Sequence, residues 1–454
     1  MTDTGALPAG RLIAWYGDDF TGSTAVMEVL AFAGIDTVLF LDVPTAERLA
    51  RFPVRAIGIA GNARAQSPGW MDRELPRVFR AIGSLGAAIT HYKVCSTFDS
   101  SPIIGSIGRA IDIAMPILGG PWIPLLPAAP PVRRYQAFGN LFASIGDYGY
   151  RLDRHPVMSR HPITPMDEAD VRRHLARQTT TPIALIDLVA MKSGRADELL
   201  AEEMRHGRAI VALDVIDEGT LVEAGRLIWE HRGERLFVAG SQGIEYALVA
   251  YWRSRGLLPA ADQATRATRA ERIVVASGSC SPLTADQIAW AERNGFARVP
   301  LDASKAVDAG LWRGETARVA AEALRLLGEG RDPLLATAAG PEDSAVAALR
   351  SAIAAAGADV HEVNRRIGEG LGRIVDQVVR VAGLRRAVIA GGDTSSEAVR
   401  SLDIFALSAL AAIAPGAPLC RAHSDDRALA ALELALKGGQ MGAVDYFGRV
   451  RQGG

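Results

Sequence analysis

The sequence predicts an α/β protein of two doubly wound domains with mainly parallel sheets and an active site in the cleft between them. Three observations carry that expectation. Short apolar runs alternate with helical patterns along all 454 residues. Most runs are continuously apolar, as parallel strands covered on both faces are, rather than alternating. The chain is also longer than one ordinary hydrophobic core supports, so it divides.

The candidate strands, in order, are residues 12–16, 37–41, 56–59, 88–93, 122–126, 183–186, 209–213 and 236–239, then 273–276, 334–337 and 387–390. The segments between them are long enough for crossover helices. After the first strand, Ala25, Val26, Val29, Leu30 and Ala33 recur at helical spacing and Gly34 stops the pattern, which predicts a helix over 25–33. Residues 113–132 are uncharged over 20 positions, long enough to span a bilayer, but six prolines and Gly119-Gly120 forbid a continuous helix. They read as a helix end, a strand at 122–126 and a Pro-rich loop. The small, polar and charged stretch 257–271 reads as a linker between an N-terminal domain, 1–256, and a C-terminal domain, 272–454. The sequence shows no internal repeat.

Composition removes several function classes. The net charge is -1 and no strongly basic block occurs, which argues against nucleic acid and membrane as partners. Cys95, Cys280 and Cys420 lie far apart without a C-x-x-C, which points to a reducing compartment and neither a disulfide framework nor a zinc site. Among eight histidines there is no H-x-x-x-H, and His155 and His161 are poorly spaced for joint ligation. No charged-then-apolar leader pattern opens the chain, so a cytoplasmic location is expected.

In open α/β sheets, ligands bind beyond the carboxyl ends of strands, so the strand-turn-helix junctions are where chemistry is sought. Gly17-Asp18-Asp19-Phe20-Thr21-Gly22 follows the first strand. A helix cap by Asp or Thr21 accounts for one acid, but two adjacent acids diverge, and the second suits a general base or a hydroxyl acceptor. Ser277-Gly278-Ser279-Cys280-Ser281 follows the strand at 273–276, with Pro282 suited to a first turn and Thr284 and Gln287 at capping-box spacing. Such small residues let backbone N–H groups approach an anion. Cys280 reads as a small buried residue. Gly391-Gly392-Asp393-Thr394 follows the strand at 387–390, with Thr394 and Glu397 again at capping-box spacing. Lys437 precedes Gly438-Gly439. Two small-residue, helix-starting turns in one domain suggest a phosphate-bearing ligand, although neither a Walker A nor a G-x-G-x-x-G after a strand occurs. Gly368, Gly370 and Gly372 fall in a helical pattern and read as packing glycines.

In this order, D-D-F-T-G, G-S-C-S, G-G-D-T-S and K-G-G-Q-x-G, the motifs resemble the four-carbon acid sugar kinase family over almost the whole chain. The resemblance implies transfer of the ATP γ-phosphate to a terminal hydroxyl of a small acid sugar, with Mg2+, the first domain holding the sugar and the second the nucleotide. It implies catalytic roles for Asp18, Asp19 and Lys93. It implies substrate contacts from Arg64, Ser96, Thr97 and Arg134. It implies nucleotide contacts from Ser277, Gly278, Ser279, Ser281, Gly391, Gly392, Asp393, Thr394, Gly438 and Gly439; metal ligands stay unassigned. The chain departs from the family's K-x-D-S-T-x-R-G at Lys93-Val94-Cys95-Ser96-Thr97-Phe98-Asp99-Ser100. There an arginine is replaced by Asp99, so a remodelled pocket and a branched substrate such as 3-oxo-isoapionate are expected. Either Asp99 lines that pocket or the inserted loop displaces it to solvent. The competing reading is a non-catalytic sugar-acid sensor on the same scaffold. Homo-oligomer formation stays open.

Overall fold

Ile13–Gly17 (β1) is a five-residue apolar strand buried from end to end, and it seeds a sheet in the computed structural model. Residues 6–161, 163–207, 209–260 and 266–454 are described. The chain divides into two units, Met1–Asp262 and Gln263–Gly454.

In the first unit β1 is followed by α1 (Phe20–Ala31), β2 (Thr37–Phe40), α2 (Ala46–Ala50), β3 (Ala56–Ala60), α3 (Pro68–Ser84) and β4 (Ile89–Lys93). Then come α4 (Ile107–Leu118), β5 (Ile123–Leu126), β6 (Arg134–Ala137), β7 (Asn140–Ile145), β8 (Tyr148–Arg151) and α5 (Val171–Leu175). The unit continues with β9 (Ile183–Ile186), α6 (Leu188–Ser193), α7 (Ala196–Arg205), β10 (Ile210–Leu213), α8 (Glu218–Glu230), β11 (Leu236–Gly240) and α9 (Gly243–Ser254). Its parallel strands run β2-β3-β1-β4-β11-β5-β10-β9. β6, β7 and β8 form a separate antiparallel meander.

The second unit holds β12 (Val274–Ser277), α10 (Pro282–Arg293), β13 (Phe296–Pro300), α11 (Ala309–Gly328), β14 (Asp332–Ala336), α12 (Ser344–Ala356) and α13 (Val360–Ala382). β15 (Arg386–Ala390), α14 (Asp393–Arg400), β16 (Ala406–Ala414), β17 (Ala417–His423), β18 (Glu433–Lys437) and α15 (Tyr446–Gln452) complete it. Strands β13-β14-β12-β15-β18 are parallel, and β17 and β16 extend the row antiparallel.

Both units therefore contain the same device. The chain builds β1, β2 and β3 to one side and then places β4 on β1's other flank; β12, β13, β14 and β15 repeat this. Each reversal is a topological switch point, where crossover helices part and leave a crevice above the strand ends. β1 and β4 keep their core side chains, among them Trp15, Tyr16 and Tyr92, out of water. Burying each such side chain stabilises the fold by about 1.5–3 kcal/mol. Tyr16 stacks on Tyr92 at 6.2 Å, and Phe79 meets both rings edge-on.

The sequence reading misses the strands at 134–151, 296–300, 406–423 and 433–437. β16 reads Ala-Leu-Ser-Ala-Leu-Ala-Ala-Ile-Ala; alanine disfavours strands, and antiparallel pairing plus burial override it. The first helix starts at Phe20 rather than residue 25, because Asp19 caps it. Gly368, Gly370 and Gly372 do pack closely. A Cβ at these positions would meet Glu397 Cβ at 2.6 Å, Trp312 at 2.6 Å and Ala398 O at 2.2 Å.

Candidate active site

At the first switch point, three neighbouring parallel strands, β3, β1 and β4, deliver charge to one place. Gly17 at the end of β1 is in register with Ala60 of β3 and Lys93 of β4. Asp18 and Asp19 leave β1, Arg64 lies in a 3-10 turn, Ala63–Ala65, after β3, and Lys93 ends β4. Backbone bonds fix these ends, with Asp18 N donating to Lys93 O at 2.9 Å and Arg64 N to Asp18 O at 3.0 Å.

The side chains close a four-charge cluster. Arg64 donates to Asp18 through Nε at 3.2 Å and Nη2 at 2.7 Å, and Nη2 also reaches Asp19 Oδ1 at 2.7 Å. Lys93 Nζ stands 3.9 Å from Asp19 Oδ1 and is almost fully enclosed. Asp19 also accepts from Gly22 N at 3.0 Å and from the Thr21 hydroxyl at 2.8 Å, so it is the helix cap as well. A Cβ on residue 22 would sit 2.1 Å from Lys93 Nζ and 2.2 Å from Asp19 Oδ1. Only glycine leaves room there for the acid and the amine.

The two aspartates differ electrically. Burial pushes the Asp18 carboxyl above its ordinary value, against the pull of Arg64, and its side chain is 1% exposed. Burial acts on Asp19 in the same direction, but Arg64, Lys93, Thr21 and the Gly22 amide outweigh it and hold the carboxyl below its ordinary value. Asp19 is 21% exposed. The result is one enclosed acid and one ionised, reachable acid. Arg64, expected at the substrate carboxylate, commits Nε and Nη2 to the aspartates instead.

The divergent stretch after β4 folds inward. Cys95 Sγ lies 2.9 Å from Thr97 Oγ1, and burial pushes the Cys95 thiol up. Ser96 is half-buried. Asp99 is 8% exposed, so displacement to solvent is ruled out. Arg134 opens β6, and its Nη1 donates to Val132 O and Arg133 O. The meander carrying it is fixed by Asp214, which sequence reasoning missed. This buried carboxylate accepts from Phe138 N, Gly139 N at 2.9 Å, Gln136 Nε2 at 3.3 Å and Leu188 N at 3.0 Å. A lone acid directly after the apolar run 209–213 was the available signal.

In the second unit, adjacent strands β12, β15 and β18 end in the three small-residue turns. Gly278 N donates to Ala390 O at 2.9 Å, and Gly391 N to Lys437 O at 2.9 Å. Ser281 Oγ donates to Gly439 O, and Ser279 Oγ lies 3.0 Å from Thr284 Oγ1. Gly391 holds φ +145°, a conformation that disfavours a side chain. Ser277, Gly278, Ser279, Ser281, Gly391, Gly392, Thr394, Gly438 and Gly439 thus gather at one sheet end; the side chain of Asp393 lies outside the described residues. Ser277 is fully buried and its hydroxyl accepts from Ser279 N at 3.4 Å, so it shapes the turn from beneath.

Three local expectations are corrected. The cap of α10 is Ser281, which accepts from Thr284 N; Gln287 instead donates to Met441 O and Ala443 O, tying the helix to the turn after β18. The cap of α14 is Gly392, so Thr394 and Glu397 form no capping box. Cys280 is exposed, not buried. Lys437, seen in its motif but given no role, is fully buried with Nζ 3.1 Å from Thr284 Oγ1. No carboxylate pairs with it among the described residues, and burial pushes its ammonium down to about 8.

Fold and site define a two-domain α/β protein with a charged cluster at one switch point and phosphate-suited turns at the other. Residues 13–248 match a sugar-binding N-terminal domain and residues 274–447 a nucleotide-binding C-terminal domain. The chain is 49% identical over 457 residues to a 3-oxo-isoapionate kinase of Paraburkholderia graminis, covering 100% of this chain and 96% of the relative. It is 34% identical over 448 residues to a 3-oxo-tetronate kinase of Methylobacterium radiotolerans, covering 95% and 96%. A crystal structure of a Haemophilus influenzae protein shares the fold, with a TM-score of 0.72 at 24% identity, over 96% of this chain and 99% of that one. The chain belongs to the four-carbon acid sugar kinase family. Among the described residues no helix is long and apolar enough to cross a membrane.

Proposed function

We propose that the chain transfers the γ-phosphate of ATP to a terminal hydroxyl of 3-oxo-isoapionate or a closely similar branched acid sugar. The observation that carries the reading is the cluster of Asp18, Arg64, Asp19 and Lys93 at the first switch point. The 49%-identical relative supports the choice of substrate. ADP formation across four- and five-carbon acid sugars tests it: the highest kcat/KM is expected on 3-oxo-isoapionate, above 3-oxo-tetronate. Acid-sugar binding without ADP formation would favour the sensor.

Asp19 is the proton acceptor in this reading. Its side chain is 21% exposed against 1% for Asp18, whose two oxygens both take Arg64. The hydroxyl oxygen attacks the γ-phosphorus as its proton passes to Asp19, the bond from phosphorus to the bridging oxygen breaks, and ADP leaves. A loose transition state asks little basicity of the acceptor, so an aspartate held ionised suffices. Lys93 offers a point charge to the transferring group. Among the described residues no group of three His, Cys, Asp or Glu is placed to hold a metal. Asp19 is the carboxylate that would help to hold a phosphate-borne Mg2+, and the ion would supply neutralisation of phosphate charge.

Two predictions concern the nucleotide turns. A Cβ on Gly392 would meet nothing within 4 Å, so Gly392→Val places its side chain in the space in front of the turn, with the melting temperature as the check on folding. ATP affinity measured by calorimetry should fall about 10–100-fold, the loss of one or two charge-assisted bonds. Unchanged affinity would remove this turn from the site.

Lys437 should make ATP binding pH-dependent. Its folded value of about 8 lies below its unfolded one, so the unfolded chain binds more protons between the two. Stability from this group therefore rises with pH through that window, while the positive charge buried beneath the turns is lost. ATP affinity should weaken as pH climbs past about 8. Lys437→Met should flatten that profile; a profile identical to the parent's would separate Lys437 from the phosphates.

A further inference from the structure

We infer that Asp99 and Arg134 form a two-point clamp for the substrate, Arg134 taking its carboxylate and Asp99 accepting a hydrogen bond from one of its hydroxyls. The inference rests on the acid sugar reading above and deepens it by assigning the recognition.

Asp99 is a buried anion without a partner. It is 8% exposed, Oδ1 has no hydrogen bond, and no ion pair reaches its carboxylate among the described residues. Buried carboxylates normally find donors, because an unpaired one carries its full desolvation penalty. The loop cannot relieve this by swinging outward. Its neighbours Phe98 and Ser100 are 0% and 1% exposed. Ser100 Oγ lies 2.9 Å from His174 Nε2, accepts from Gln178 Nε2 at 2.9 Å and donates to Phe98 O at 2.9 Å. The carboxylate is held inside.

Arg134 is the complementary orphan. Nη1 is spent on two backbone carbonyls, and Nε is buried with no partner. Asp99 acts on the Cys95 thiol, and both Cys95 and Asp99 act on Arg134, so the acid and the guanidinium stand within electrostatic reach of each other. Yet they form no ion pair within 4 Å. A buried acid and a half-buried guanidinium, within electrostatic reach but unpaired, present an acceptor and a donor to the same region. A hydroxy acid fits it, with its carboxylate at the guanidinium fork and a hydroxyl proton at Asp99 Oδ1. A ligand lacking that hydroxyl, or presenting a second anion there, leaves Asp99 unpaired and is rejected, the strongest form of small-molecule discrimination.

Asp99→Asn and Asp99→Leu test the clamp in the full chain, with melting temperature and kinetics on 3-oxo-isoapionate. An acid poised for a ligand destabilises the empty protein, so both variants should melt at higher temperature. Both should also raise the acid-sugar KM, Leu by about tenfold or more because it deletes the acceptor, Asn by less because its carbonyl still accepts. The KM for ATP should not move. Calorimetry of 3-oxo-isoapionate without ATP should show the same order and keeps the test valid if the parent protein forms no ADP, a result that sinks the kinase reading rather than the clamp. Unchanged acid-sugar affinity in both variants, or a lower melting temperature with both KM values raised together, would overturn the inference.

Discussion

Asp19→Asn is expected to lower kcat by about 10²–10⁴, the usual range for loss of general-base help, with the fold intact. The geometry separates the two. Asn is as good a helix cap as Asp, so the Gly22 amide keeps its acceptor and α1 its start. The lost feature is the anion proposed to take the hydroxyl proton, 3.9 Å from Lys93 Nζ. Asp18→Asn is the informative companion. Asp18 is 1% exposed and turned to Arg64, so its amide should change stability and leave most of kcat. Parent-like turnover in Asp19→Asn would end the assignment. A loss confined to Asp18→Asn would transfer the base role to the enclosed acid.

Which parts of this site were legible follows from sequence distance. Asp18, Asp19 and Lys93 stand at ends of apolar runs, and a parallel sheet forces such ends together whatever the intervening helices contain. That the small-residue turns after β12, β15 and β18 gather was legible for the same reason, since these strands are neighbours. What stayed hidden is side-chain partnership across long separations. Arg64 and Asp18 are 46 positions apart, and nothing local says that the guanidinium serves the acids. The meander is another case. β6 to β8 are short, half-buried strands without a regular polar-apolar alternation, and the turn between β6 and β7 is held by Asp214, some 76 residues from Phe138. Lys437 was visible beside its glycines, but its full burial and its partner Thr284, 153 positions away, are not written in its neighbours in the chain.

Arg64→Met is expected to lower both melting temperature and kcat, with a smaller effect on acid-sugar KM. The guanidinium holds two carboxylates together, one of them enclosed, and removing it leaves Asp18 buried without its cation. Breaking a buried pair costs about 3–5 kcal/mol, and the lower end applies because the Arg64 side chain is 24% exposed. The pH dependence gives the loss a signature. Burial already raises the Asp18 carboxyl, and without Arg64 it rises further above its unfolded value. The folded variant then binds more protons than the unfolded chain in the window between those values, so its stability falls as pH rises through it. Arg64→Met should therefore come closest to the parent in mildly acidic buffer and be weakest at neutral pH. Adding Asp18→Asn removes the uncompensated charge and should recover part of the melting temperature, a coupling that a double-mutant cycle reads directly. Recovery of stability without recovery of kcat would locate the remaining deficit at Asp19, which loses the same Nη2 contact. The opposite pattern, an unchanged melting temperature with a KM raised by orders of magnitude, would mean that Arg64 leaves the aspartates to hold the substrate carboxylate during turnover.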